Sequence, residues 1–332
     1  MVIPTRNTAS LTLSCLSSLA DSRDANMEII VVDDDSDDGT PEAVMRAFPA
    51  VRMVRQPEQV GFARCANRGL RISNGRVLLL LNSDTEVEDG ALAHLLNAFA
   101  RDENLGVAGA ELVNPDSSPQ WSAGRFPSPT WLFFQSSGLG TLAARIPGYR
   151  RDLRPGARGE AVEWVCGAAM AFRRAVWVEL DELDEDFRFY GQDLDYCLRA
   201  KEAGWRVALV PGFRVVHVGG ATIAREELAL GGSGNAAATA AVDCLASSSF
   251  GNGSGTGGYV PALLWTDLLY WGIKHRGKRW QRRASLAIRV GASFRVCTRR
   301  LARPLIRGAR RPQWEAETRA YARGLSAIKS VR

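Results

Sequence analysis

The chain has 332 residues, 46% hydrophobic and 23% charged, which suits one large globular domain with an appendage. A core of that size needs no disulfide or structural metal. The six cysteines, Cys15, Cys65, Cys166, Cys197, Cys244 and Cys297, stand singly without a C-x-x-C pair, which excludes a zinc ribbon or dithiol centre and implies a reducing compartment. The net charge of +6 divides unevenly: residues 259–332 carry 18 Lys and Arg against 3 Asp and Glu, leaving 24 against 33 for residues 1–258. A body of −9 is thus followed by a tail of +15, and such a tail calls for a polyanionic partner, nucleic acid or an anionic membrane. No apolar run reaches the ~18 residues that span a bilayer, and residues 259–273, the nearest, contain Asp267. The opening Met1-Val2-Ile3-Pro4-Thr5 has neither the basic start nor the apolar core of a secretory signal, so a cytoplasmic location is expected. It begins abruptly, and a start further upstream would lengthen the first strand without touching the motifs.

In chain order, short β-branched or leucine runs at 28–32, 51–55, 76–81 and 106–112 alternate with helical spacings: Leu11, Leu16 and Leu19, then Val44 and Phe48, then Leu92, Leu95 and Phe99. This is the rhythm of an α/β sheet with crossover helices. Ile29 to Val32 and Val77 to Leu81 are apolar at every position, as central parallel strands covered on both faces must be. From 114 to 160 the pattern dissolves into Pro, Gly, Ser and aromatics, as in a long substrate-facing loop region. Residues 162–172 read as a strand-like segment, 193–203 as a helix ended by Gly204, and 205–210 and 214–218 as strands. Residues 231–258 are low in complexity, rich in Gly, Ser and Ala, and read as a loop, a lid or a linker. Beyond them Leu286, Val290, Phe294, Cys297 and Leu301 fall within about 80° of a helical wheel, with Arg282, Arg289, Arg295, Arg299, Arg300 and Arg303 outside that arc. Leu263, Leu264, Trp265, Leu268, Leu269, Tyr270 and Trp271 precede them beside Lys274, Arg276, Lys278 and Arg279, a composition suited to a bilayer interface. The plainer reading is a helical hairpin with solvated arginines.

The acids lie at the carboxyl ends of the strands, where open parallel sheets bind ligands. Asp33-Asp34-Asp35 follows one strand and Asn82-Ser83-Asp84-Thr85 another; clustered carboxylates need a cation, hydrogen-bond donors or solvent to coexist. Helix capping is the plainer account of Asp37 and Asp38, with Thr40 as N-cap and Pro41 as first helical residue. Asp193 and Asp195 open a helix, where the macrodipole alone would favour them. His217 ends an apolar strand before Gly219-Gly220, a position equally open to a buried, satisfied histidine.

Taken together and in this order, these residues resemble a family 2 glycosyltransferase of GT-A fold over residues 1–220. The carriers are Ile3-Pro4-Thr5-Arg6-Asn7, Val31 to Thr40 with its Asp-rich turn, Gly61-Phe62-Ala63 with Asn67, Leu80 to Thr85, Trp164 to Met170, Gln192-Asp193-Leu194-Asp195 with Arg199, and His217. The N-x-D-T form, the G-F-A-x-x-x-N stretch and the D-x-D-Y-C-x-R helix are similar to rhamnosyltransferase-like enzymes of bacterial cell-surface polysaccharide synthesis. The resemblance implies a mostly parallel sheet flanked by helices, with a basic helical C-terminal extension. Its domains would be a catalytic domain over 1–225 (nucleotide-sugar half 1–113, acceptor half 114–225), a linker over 226–258 and the tail over 259–332.

The resemblance further implies an inverting transfer of a sugar from a nucleotide-diphosphate donor, dTDP-rhamnose or a UDP-sugar, to a glycan or lipid-linked glycan acceptor. Pro4, Thr5, Asn7, Asp33, Asp35, Asn67, Asn82 and Ser83 would bind the nucleotide. Asp84 and His217 would hold Mg²⁺ or Mn²⁺ on the donor diphosphate, and hard ions of this kind prefer oxygen, so the histidine would be supplementary. Asp193 corresponds to the general base, with Asp195 as second choice, and Trp164, Gly167 and Gln192 lie on the acceptor side. Gln192 stands where many relatives carry Glu, which removes a like charge from beside Asp193 and should leave that carboxyl acidic rather than raised. Ser83 stands where Pro is common. With polysaccharide-building relatives, the tail points to the inner face of the membrane rather than to nucleic acid. A sugar-nucleotide pyrophosphorylase would need a Gly-rich N-terminal phosphate loop, which Met1 to Asn7 lacks; a catalytically degenerate glycan- or membrane-binding module is the alternative, against which the retained acids argue.

Overall fold

The computed structural model describes residues 1–20, 26–140, 162–219, 261–308 and 310–328. Their contacts divide them into two units, one of residues 1–125, 162–186 and 192–219, the other of 126–140, 187–191, 261–308 and 310–328. The linker expected over 226–258, including the lid expected over 231–258, lies outside the described residues.

The first unit is built on β1 (Val2–Thr5), β2 (Ile30–Asp33), β3 (Arg52–Arg55), β4 (Val77–Leu81), β5 (Thr85–Val87), β6 (Leu105–Val113), β9 (Ala169–Arg173) and β10 (Arg206–His217). They form one sheet in the order β3-β2-β1-β4-β9-β6-β10-β5. The β3-β2-β1-β4 half is parallel, as is β6 with β10, while β9 and β5 run antiparallel to their neighbours. Helices α1 (Ala9–Ala20), α2 (Thr40–Ala47), α3 (Phe62–Ile72), α4 (Ala91–Arg101), α6 (Arg174–Leu180) and α7 (Gln192–Glu202) belong to this unit. The apolar runs behave as their lack of alternation requires: Ile30, Val31, Val32, Leu80 and Leu81 are wholly buried. Leu16, Leu19, Val44, Leu92, Leu95 and Phe99 line the core from the helices, as their spacing predicts.

Three local differences from the sequence reading have physical causes. Residues 162–172 are not one segment but β8 (Trp164–Val165), paired with β7 (Ala123–Gly124), and then β9, separated by a turn at Gly167-Ala168. Residues 205–210 and 214–218 join into the single strand β10, whose register against β6 shifts between Leu209 and Arg214. The N-cap of α2 is Gly39, at φ +80°, and the Thr40 amide instead donates to Asp38 Oδ1 at 3.0 Å.

The second unit contains α5 (Pro129–Ser137), α8 (Pro261–Ala302), a 3₁₀ turn (Arg303–Leu305) and α9 (Arg310–Ala327). Helix α5 falls within the stretch that the sequence reads as a long loop region, and its start follows from Ser128, whose hydroxyl accepts from the Trp131 amide at 3.2 Å, with Pro129 in the first turn. Helix α8 is broken at Gly277, whose φ of 78° and ψ of 175° no side-chain-bearing residue adopts easily. Its packing on α5 is close because Gly291 has no Cβ: one placed there would lie 2.3 Å from Ser136 Oγ and 2.6 Å from the Phe133 carbonyl oxygen. Leu263, Trp265, Leu268, Leu269 and Trp271 are buried, Trp265 edge-on to Tyr321 and Trp271 stacked on Phe126. These aromatics therefore form the core of the second unit, which corrects their assignment to a bilayer interface. Asp267, 3% exposed, accepts from the amides of Arg188, Phe189 and Tyr190 at 3.3, 2.9 and 2.8 Å. No described helix is long and apolar enough to cross a membrane.

Candidate active site

The acids of the first unit gather at the carboxyl edge of its sheet. Parallel pairing sets Thr5 beside Asp33, and antiparallel pairing sets His217 beside Thr85, next to Asp84. The Thr8 and Ser83 hydroxyls are 3.0 Å apart, joining the ends of β1 and β4. The Asn82 amide donates to the Ala168 carbonyl at 2.9 Å, which brings the β8–β9 turn to the same edge. From that turn the Gly167 amide donates to Asp193 Oδ2 at 3.0 Å. The Cys166 thiol registers this convergence: burial, with added repulsion from Asp193 and Asp84, pushes its pKa up to about 12.

Asp84 and His217 are an ion-pair-distance couple, Oδ1 to Nε2 3.4 Å, at 8% and 17% side-chain exposure. Gln120 decides the imidazole tautomer. Its Nε2 donates to Asn114 Oδ1 at 2.6 Å and to the His217 carbonyl at 2.5 Å, which turns its Oε1 towards His217 Nδ1 at 2.9 Å. Nδ1 must then carry the proton. A neutral His217 thus aims a bare Nε2 at the Asp84 carboxylate, an arrangement of two acceptors that requires a proton or a cation. With that proton in place His217 is an imidazolium whose Nε2–H faces Asp84; burial acts to raise the Asp84 pKa, but the imidazolium's attraction and hydrogen bond, with backbone donors, outweigh it and hold the carboxyl below its usual range. Among the described residues no three His, Cys, Asp or Glu converge on one point, so of these ligand types the site offers a metal this pair.

Asp33 is fully buried; its Oδ2 accepts from the Ser36 amide at 3.1 Å, and its Oδ1 has no partner among the described residues. Such an orphaned acceptor suits an N–H or O–H from a ligand. Asp34 instead braces the loop before α3, taking the Val60 and Gly61 amides at 2.6 and 3.0 Å. Asn7, at φ 52°, accepts from the Asp37 amide and donates its own to Ser36 Oγ, both at 2.8 Å, so the two strand-end loops are laced together. Pro4 is buried in β1, the Thr5 hydroxyl is engaged with Thr8 and Thr12 at 2.8 and 2.7 Å, and Asp35 is exposed at φ 58°.

Asp193 stays partly exposed at the start of α7, its Oδ1 accepting from the Leu194 amide at 2.8 Å. Burial raises its pKa above the ordinary carboxylate value, the hydrogen bonds of Gly167 and Leu194 opposing this only in part. The expectation that Gln192 leaves this carboxyl acidic is therefore corrected: desolvation, not the missing like charge, decides the direction. Gln192 is 5% exposed, and its buried Nε2 has no partner among the described residues.

Two further expectations change. Asn67 is fully buried and gives its amide group to the Leu183 carbonyl and Glu185 Oε1 at 2.9 and 3.0 Å while Oδ1 takes the Leu183 amide at 3.0 Å. All its strong contacts are spent on residues 183–185, so it locks that loop and leaves nothing for a nucleotide. Asp195 is 0% exposed and paired with Arg199 at 2.8 Å, the same guanidinium holding the Leu180 and Glu182 carbonyls, so it anchors α7 instead of meeting an acceptor. Trp164 is 7% exposed, edge-on to Trp121, with Nε1 donating to the Arg125 carbonyl at 3.0 Å. Gln120 is the residue that sequence reasoning missed; it sits in the irregular stretch after 114, where no periodicity or motif singles it out.

The description "Glycosyl transferase family 2" belongs to the family model that matches residues 1–180. The chain is a member of that family. Over 217 residues this glycosyltransferase is 27% identical to N-acetylglucosaminyl-diphospho-decaprenol L-rhamnosyltransferase of Mycobacterium tuberculosis, covering 61% of this chain and 70% of the relative. Over 232 residues it is 28% identical to an N-acetylglucosaminyltransferase of Rhizobium sp., covering 66% and 48%. Its fold is like that of a mannosyltransferase from Pyrobaculum calidifontis in complex with GDP-Man and Mn²⁺, with TM-score 0.52, 17% identity, and 99% and 83% of the two chains covered. The fold is thus GT-A, and the family makes the chain a glycosyltransferase.

Proposed function

We propose that this family 2 enzyme is a metal-dependent, inverting transferase that moves a sugar from a nucleotide-diphosphate donor, dTDP-rhamnose or a UDP-sugar, to a glycan or lipid-linked glycan in cell-surface polysaccharide synthesis. The observation that carries this reading is the pairing, at one sheet edge, of a partly exposed Asp193 of raised pKa with an Asp84–His217 couple whose facing atoms need a proton or a cation between them. The rhamnosyltransferase relative supports the donor class and a lipid-diphosphate acceptor; the mannosyltransferase neighbour supports a nucleotide-sugar and a divalent cation.

On this reading Asp33 Oδ1 takes a donor group of the nucleotide, and the loops around Pro4, Thr5, Asn7, Asp35, Asn82 and Ser83 shape its pocket. Asp84 and His217 would hold Mg²⁺ or Mn²⁺, which supplies neutralisation of the charge growing on the leaving diphosphate. Asp193 accepts the proton of the attacking acceptor hydroxyl, and its raised pKa makes it a stronger base than an ordinary carboxylate while its two amide donors fix its orientation. Gln192 Nε2, buried beside it, offers a hydrogen bond to an acceptor oxygen. The enzyme works at the cytoplasmic face of a membrane, held there by its basic tail. The test is nucleotide-diphosphate release from a panel of UDP-, dTDP- and GDP-sugars, with and without chelator, and the anomeric configuration of the product by NMR. One donor turned over, silenced by chelator, restored by Mn²⁺ or Mg²⁺ and giving an inverted product is expected; retention of configuration or indifference to chelator overturns the reading.

A further inference from the structure

The part of α8 beyond Gly277 presents two apolar faces, and only one is covered. Ala284, Ile288, Gly291, Ala292 and Val296, with Arg299, are buried within the second unit. On the opposite side, at ~100° per residue, lie Leu286, Val290, Phe294 and Leu301, continued by Leu305 in the following turn. These are 63%, 51%, 46%, 79% and 80% exposed. The arc that the sequence marks as the helix's apolar face is therefore the one that the fold leaves in water.

Charge identifies what covers it. Residues 274–311 contain 14 Lys and Arg and no Asp or Glu. Arg282, Arg283, Arg289, Arg300 and Arg307 are exposed and have no carboxylate partner among the described residues, whereas Arg299, Arg303 and Arg311 pair with Glu317 or Glu315 of α9. Arg282, Arg289 and Arg300 border the apolar arc along one flank, and Arg283 continues it towards Gly277. A second copy on this face would set arginine against arginine with no acid between. Nucleic acid would answer the guanidinium groups through its phosphates but leave five large apolar side chains wet. An anionic lipid surface satisfies both, with acyl chains receiving Leu, Val and Phe and headgroups receiving Arg.

We infer that Leu286, Val290, Phe294, Leu301 and Leu305, with Arg282, Arg289 and Arg300, form a docking face for anionic phospholipid, on which α8 lies in the plane of the membrane surface. The buried Trp265 and Trp271 take no part. This names the surface behind the membrane location proposed above and rests on that reading only for its biological purpose.

The test is flotation of the full chain with phosphatidylcholine vesicles, with and without phosphatidylglycerol, using wild type, Phe294→Glu/Leu301→Glu and Arg289→Glu/Arg300→Glu. All substituted side chains are exposed, so unchanged thermal melting is expected for both variants. Wild type should float with phosphatidylglycerol vesicles only, and each variant should bind them about tenfold or more weakly. The proposal is overturned if wild type floats with neither vesicle, if the Phe294/Leu301 variant floats like wild type, or if wild type self-associates through this face and that variant does not. Turnover of the donor panel is read in parallel on all three proteins: lipid binding without turnover keeps the docking face and refutes the proposed donor class, and turnover without lipid binding does the reverse.

Discussion

Replacing Gln120 by Met removes the one side chain that sets the His217 tautomer while keeping its length. Gln120 is 9% exposed and makes three hydrogen bonds, two of them to His217. At about 1 kcal/mol each the variant loses roughly 3 kcal/mol of stability. Of these, the Nδ1–H bond to Oε1, about 1 kcal/mol, is what holds the ring with Nε2 towards Asp84, while the bond to the His217 carbonyl fixes the Gln120 amide that receives it. Released, the ring samples other rotamers and the cation affinity should fall by about 10–100-fold, the range for outer partners of metal-binding histidines. Calorimetric titration with Mn²⁺ in the presence of nucleoside diphosphate reads this directly, as does the Mn²⁺ concentration for half-maximal turnover. Both should shift to higher Mn²⁺ by that factor, with kcat at saturating Mn²⁺ close to wild type. A Gln120→Met enzyme that is less stable yet has an unchanged Mn²⁺ requirement would refute the tautomer argument, and so would a kcat loss that Mn²⁺ does not rescue.

Asp193→Asn should lower kcat by about 10²–10⁴-fold, the usual contribution of a general base, with donor affinity measured by titration essentially unchanged. Burial raises the folded-state pKa of Asp193, so wild-type stability falls as pH rises from the unfolded-state value through the folded one; Asn does not titrate and keeps only one of the two amide bonds, so the variant should be less stable at low pH and the gap should narrow as pH rises through that interval, and a gap that widens would contradict this. Because the base must be ionised, the acid limb of kcat/KM should fall at a pH above the ordinary Asp value of about 3.9, and a limb at or below that value would remove Asp193 from the role. Asn67→Ala should cost roughly 2–4 kcal/mol in denaturant unfolding through its three buried hydrogen bonds while leaving the donor KM unaltered; a raised KM with intact stability would return Asn67 to the nucleotide pocket.

The sheet could be read from the sequence because its central strands lack alternation. Ile30 to Val32 and Val77 to Leu81 have no polar position to offer solvent, so they belong in the middle of a sheet covered on both faces; β4 is parallel to β1 and antiparallel to β9, a mixture the run itself does not record. The placement of Asp33, Asp84 and Asp193 followed from motif order, and the structure gathers their strands and helix at one edge. What pattern could not reveal depends on the third dimension. Asn67 occupies a family motif, yet its partners lie in residues 183–185, and no local signal records that its hydrogen bonds are consumed. Gln120 has no motif, and its importance comes from two carbonyl-type acceptors that fix which way its amide points. The direction of the Asp193 shift was misread because like-charge removal is visible in sequence and desolvation is not. In the tail, helical periodicity found the amphipathic arc from Leu286 to Leu301 but could not say which of two apolar faces would be covered. The small residues Ala284, Gly291 and Ala292 won because the absence of a Cβ at Gly291 allows α5 to approach closely.

The most direct test of the central claim is a donor screen in which wild type, Asp84→Ala and Asp193→Asn are assayed side by side for nucleotide-diphosphate release with Mn²⁺ and a lipid-linked acceptor. The account predicts turnover of one donor by wild type and silence from both variants, with Mn²⁺-dependent nucleotide binding lost only in Asp84→Ala. Equal release by all three proteins would contradict it, since the carboxylates gathered at the sheet edge would then not be the active site.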